Sequence, residues 1–68
     1  MTNGEIVDAI LEAISAAQTP ESVEQVADTY REDVKRLYGL PEWRVRAIHI
    51  VNYKSYRLWE LKNGKTVS

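Results

Sequence analysis

Apolar residues in the first part of the chain recur at helical spacing. Ile6, Ala9, Ile10, Ala13, Ile14 and Ala17 fall three and four positions apart, and a repeat of 3.6 residues per turn gathers them on one face. Val7 and Leu11 widen that face on one side, while Glu5, Asp8, Glu12 and Ser15 turn towards water. Thr2 with Glu5 three residues on is a capping-box pattern, so an amphipathic helix of about four turns is expected.

Thr19-Pro20-Glu21 signals a second start. Threonine supplies the N-cap oxygen, proline at the first helical position loses only an orphan N–H, and Glu21 favours the positive end of the helix dipole. Val23, Ala27, Tyr30, Val34 and Leu37 then follow at spacings of four, three, four and three, with Val26 and Tyr38 beside the stripe. Gly39 and Pro41 read as the stop, glycine taking the left-handed C′ conformation and proline being unable to continue. Only two or three residues, Gln18 among them, separate the two helices, so they are expected to form an antiparallel hairpin.

Residues 41 to 68 admit two readings. As a helix from Pro41 to about Lys62, Glu42 would pair with Arg46 one turn on, and Asn63-Gly64 would end it. Trp43, Ala47, Ile50, Val51, Leu58 and Leu61 then share one flank, Val45, Ile48 and Trp59 occupy another, and Arg46, His49, Tyr53, Arg57 and Glu60 form a narrow polar face. As strands, the β-branched run from Arg46 to Asn52 would be followed by a hairpin in which Lys62-Asn63-Gly64-Lys65 joins Leu58–Lys62 to Lys65–Ser68. Ile48, Ile50 and Val51 do not alternate cleanly and the last arm is only four residues long, which favours the helix. The expected fold is therefore all-α, a helical hairpin plus a basic, aromatic third helix, with two helices and a small β-hairpin as the alternative.

Composition narrows the function classes. A chain of 68 residues that is 44% apolar can hold one core, so a single domain over residues 1–68 is expected. With no cysteine and one histidine, neither a disulfide nor a thiolate or histidine zinc site is available, and oligomerisation is the remaining way to supplement a small core. No basic stretch opens the chain and no apolar run exceeds three residues, so neither a secretion signal nor a membrane span is expected, and the chain reads as cytoplasmic. His49 stands alone, Ser15, Ser22 and Ser55 occupy no nucleophile elbow, and Gly4, Gly39 and Gly64 are too scattered to cradle a phosphate. A non-enzymatic protein without cofactor, metal or small-molecule substrate is expected.

Charge is unevenly distributed. Residues 1 to 34 carry eight acids against one base, and residues 35 to 68 carry eight bases against two acids, with all six aromatics between Tyr30 and Trp59. The segment 43–65 thus interleaves bases with Trp43, Tyr53, Tyr56 and Trp59, as a small nucleic-acid-binding module would. Most charges simply complement helix dipoles, acids near the starts and bases near the ends. Arg44, Arg46, Lys54 and Arg57 do not, and they are the candidate nucleic-acid contacts. The pI of about 5.7 weighs against that reading.

Association is the reading the pattern favours. A helix over residues 41–62 has more apolar circumference than a two-helix hairpin can cover, so Trp43, Ile48, Ile50, Val51, Trp59 and Leu61 are candidate interface residues for a homodimer or a protein partner. Opposite charges in the two halves would favour an arrangement with the acidic half of one copy against the basic half of another. In a monomer the second flank would instead have to pack on Leu40 and Val67.

Ile14 to Ala17 (Ile-x-x-Ala), Thr19-Pro20-Glu21, the Val/Ala/Tyr ladder of the second helix and the stretch Arg46-Ala47-Ile48-His49-Ile50-Val51-Asn52 resemble small helical accessory proteins of tailed bacteriophages and prophages. The resemblance implies an accessory role in the cytoplasm of a bacterial host cell and carries no site residues. The β-branched residues between Val45 and Val51 depart from the Ala- and Glu-rich helices usual in such proteins, which keeps the hairpin alternative open.

Overall fold

The computed structural model describes residues 1–63, and these are all-α. The four helices among them are α1 (Asn3–Ala16), α2 (Pro20–Thr29), α3 (Arg31–Tyr38) and α4 (Arg44–Asn63). Helix α1 begins as its sequence dictates. The Glu5 N–H donates to Thr2 Oγ1 at 3.1 Å and the Thr2 N–H donates to Glu5 Oε1 at 2.9 Å, closing the capping box. Its buried face is Val7, Ile10, Ile14 and Ala17. That face is centred one step from the Ile6–Ala9–Ala13 row: Val7 is buried whereas Ile6, Ala9 and Ala13 are partly covered. Helix α2 starts with Thr19 accepting from the Ser22 N–H at 3.1 Å and Pro20 in the first turn.

The helix expected to run from Pro20 to Tyr38 is two helices, because the chain breaks at Tyr30. Tyr30 has φ −103° and ψ 14°, outside the helical basin. The Thr29 hydroxyl donates back to the Gln25 carbonyl at 2.9 Å, a competing bond that bends helices at threonine. Arg31 pairs with Asp28 across the break. The apolar face survives it, since Val23 and Leu37 are both fully buried and Val26, Tyr30 and Val34 pack beside them. The three-helix arrangement thus gains an additional helix without losing its core stripe.

Gly39 closes α3 in the right-handed conformation, φ −76° and ψ −11°, not the left-handed one expected of it. Its N–H donates to the carbonyls of Lys35 and Arg36, and the chain leaves through a tight turn in which Leu40 N–H donates to Leu37 O and Trp43 N–H to Leu40 O. Residues 41–43 therefore form a turn, and α4 begins at Arg44 rather than at Pro41. Arg46, to Asn52 and Leu58 to Lys62, both assigned to strands in the hairpin alternative, lie within α4. No strand occurs among the described residues. The Lys65–Ser68 arm lies outside them.

Helix α4 is the organising element, packing against α1, α2 and α3. Ala47, fully buried, has only a methyl group and lets the backbones approach there, and Ile50 fills the adjacent space. The core is Val7, Ile10, Ile14, Ala17, Val23, Leu37, Ala47 and Ile50, with Trp43, Tyr53, Leu58 and Leu61 packed around it. Each fully covered Val, Ile or Leu contributes about 1.5–3 kcal/mol, and no charged or polar residue is buried with them among the described residues.

Candidate interaction surface on the last helix

Helix α4 places its two apolar flanks in opposite environments. The flank of Trp43, Ala47, Ile50, Leu58 and Leu61 faces the bundle. Ile50 is 4% exposed, and Trp43 and Leu61 are partly buried against the core. These three interface candidates therefore pack within the chain itself. Trp43 packs near the start of α1, where a Cβ added at Gly4 would lie 3.8 Å from its ring.

The other flank is bare. Val45 is 74% exposed, Ile48 42%, Tyr56 54% and Trp59 58%, and Asn52 stands exposed among them. One helical turn apart, Tyr56 and Trp59 stack with ring centroids 6.3 Å apart. Val51, 48% exposed, lies to the side of this stripe and lines a cleft of about 260 Å³ with Ile10, Ile14, Val34 and Lys54. Leu40 remains 36% exposed, and Val67, the other residue that was to cover this flank in a monomer, lies outside the described residues. Of the interface candidates, Ile48, Val51 and Trp59 are surface residues, and the structure adds Val45 and Tyr56. Their spacing is legible in the sequence: positions 45, 48, 52, 56 and 59 step by three or four along one side of a helix.

The bases of α4 have the opposite disposition to its apolar residues, because most of them reach back to the bundle. Arg57 is the clearest case. Its guanidinium donates to the carbonyls of Ile14 (3.4 Å), Ser15 (3.2 Å) and Ala17 (2.7 Å), and to Glu60 Oε1 at 3.2 Å. The last carbonyls of a helix have no partner of their own and carry the negative end of its dipole. Helix α1 has no basic residue in its last turn, and Arg57 supplies that charge from α4. Arg44 does the same for α3, its Nε–H donating to the Tyr38 carbonyl at 2.9 Å while its guanidinium lies 5.1 Å from the Tyr38 ring centroid.

Lys54 Nζ lies 3.6 Å from Glu24 Oε1 on α2, a surface pair that contributes about 0–1 kcal/mol. Through it the basic half of the chain meets the acidic half of the same chain, so the opposite charges are partly matched internally. Arg46 stacks on Trp43, 4.9 Å from its ring centroid, in place of the ion pair expected with Glu42. Of the four candidate nucleic-acid contacts, Arg44, Lys54 and Arg57 are thus engaged on other elements, and Arg46 has no carboxylate partner among the described residues.

His49 is exposed and its ring stacks on Tyr53 at 6.5 Å. No group of three or more histidine or acidic side chains able to hold a metal occurs among the described residues, and no helix among them is long and apolar enough to cross a membrane. Comparison with protein-family models, curated proteins and solved structures found no match for this chain.

Proposed function

We propose that the chain is a non-enzymatic binding protein that acts through the outward flank of α4, by self-association or by docking a protein partner. The observation that carries this reading is the inversion on α4: Val45, Ile48, Tyr56 and Trp59 are exposed while Arg44, Lys54 and Arg57 are drawn back to other helices. Exposing a row of large apolar side chains over about four turns costs solvation energy that a partner surface recovers. Aromatic residues at the centre of such a patch are the usual anchors of an interface. The resemblance to phage and prophage accessory proteins sets this role in an infected or lysogenic bacterium. A nucleic-acid-binding role over residues 43–65 has less support, since three of its four candidate contacts are engaged in the chain itself.

Trp59 fluorescence tests the reading. In a Trp43→Phe variant Trp59 is the sole tryptophan, and its emission is expected to move to the red on dilution as the covered ring returns to water. Emission of a fully hydrated indole at every concentration, with the 19F resonance of 5-fluorotryptophan at position 59 unmoved by added bacterial proteins, would contradict it.

A further inference from the structure

The outward stripe of α4 has an internal symmetry that selects one occupant. Taking Asn52 as the centre, Ile48 and Tyr56 lie four residues to either side, and Val45 and Trp59 lie seven to either side. The two halves differ in bulk: branched aliphatic residues precede Asn52 and large aromatics follow it. Two such helices placed in parallel would set Trp59 against Trp59 and Val45 against Val45, forcing the axes apart at one end and leaving a gap at the other. Placed antiparallel about Asn52, they set each aromatic against an aliphatic residue, Trp59 on Val45 and Tyr56 on Ile48, so bulk is even along the contact. The peptide dipoles of the two helices then also oppose.

Resting on the docking role proposed above, we infer that the partner is a second copy of this chain, held by an antiparallel α4–α4 contact whose two-fold axis passes at Asn52. The residues of the stripe are uncharged from Val45 to Trp59, so neither copy brings an unpaired charge into the contact. On the axis the two Asn52 amides, each with donors and an acceptor, can bond to each other. Two-fold symmetry brings the same flank of each helix together, and on one of these flanks Arg46 of each copy comes beside Glu60 of the other. Arg46, stacked on Trp43, makes no ion pair among the described residues, and Glu60, though it accepts from Arg57 and Tyr56, retains lone pairs for a further donor. On the opposite flank Arg44 and Lys62 would approach, and Arg44 is held off by its bond to the Tyr38 carbonyl.

The chain has no cysteine, so single cysteines report the geometry without background. Asn52→Cys is expected to form a disulfide-linked dimer under mild oxidation, because position 52 meets its own copy. Ile48→Cys and Tyr56→Cys are each expected not to self-link, since eight residues at 1.5 Å rise separate position 48 from its copy by about 12 Å, beyond the roughly 7 Å that a disulfide spans. Mixed together, these two variants are expected to give the hetero-linked dimer in at least tenfold excess over either homodimer. Self-linking of Ile48→Cys as efficient as that of Asn52→Cys would overturn the antiparallel register while leaving the docking flank intact. A chain that sediments as a dimer while none of the three variants links would overturn both the register and the flank. A monomer at every concentration would overturn the inference that the occupant is a second copy, and the 19F resonance of 5-fluorotryptophan at position 59, read with bacterial proteins added, would then decide whether the flank docks another protein.

Discussion

Arg57 shows how much one side chain can do in a core this small. Its guanidinium serves three carbonyls at the end of α1 and one carboxylate on its own helix, and its side chain is only 20% exposed. Hydrogen bonds from a charged donor contribute about 1.5–3 kcal/mol when made and leave orphaned acceptors when lost. Arg57→Ala is therefore expected to destabilise the fold by about 2 kcal/mol in urea unfolding. Arg57→Lys should recover part of this loss, since it keeps the charge but not the planar fork. A change in stability within 0.5 kcal/mol of zero, roughly what an ordinary surface substitution gives, would mean that the contacts to α1 are incidental. Nothing in the sequence pointed to this role. The partners are backbone carbonyls some forty residues earlier, which have no side-chain signature, so in sequence a basic residue on a polar helix face looks available to an outside ligand. Trp43 and Trp59 likewise look equivalent in sequence, because both sit on apolar arcs and the pattern does not show which arc meets the bundle.

At the scale of the elements, local signals that involve neighbouring residues were legible. The Thr2–Glu5 capping box and the Thr19-Pro20 start form the bonds their spacing calls for, and α4 is helical despite its β-branched run. Val45, Ile48, Ile50 and Val51 have modest helix propensity, and the buried face of Ala47 and Ile50 against three helices outweighs it. The break at Tyr30 was not legible, because the apolar stripe runs through it in register and periodicity reports only the face. It leaves a mark that can be measured. Tyr30 and Val34 have bonded amides, to Val26 O and Tyr30 O, whereas the first amides of a new helix have no carbonyl one turn back. Amide exchange is expected to be fast at Arg31, Glu32 and Asp33 and slow on either side, at Val26 and Leu37. Uniform protection from Val23 to Leu37 would show one continuous helix in solution.

For the whole molecule, the governing feature is that a single 20-residue helix is asked to serve two surfaces. Its inner flank completes a core of eight buried residues, and its outer flank keeps Val45, Ile48, Tyr56 and Trp59 in water. The width of that apolar arc was legible in the sequence and led correctly to the expectation of an excess flank. The opposite charges of the two halves can be matched within one chain or between copies, and Lys54 meets Glu24 of its own chain. If copies meet on the outer flank of α4 as proposed, moderate salt should weaken the dimer only modestly, since screening acts on the Arg46–Glu60 pairs at its edge and not on the apolar burial at its centre. Sedimentation equilibrium over a wide concentration range, on the natural chain and on Trp59→Glu, tests this most directly. The natural chain is expected to follow a monomer–dimer equilibrium, and the variant, its helical content unchanged, is expected to weaken that dimer at least tenfold, about 1.4 kcal/mol. Equal association of the two proteins, or a natural chain that stays monomeric at every concentration, would contradict the assignment of the outer flank of α4 as the surface where copies meet.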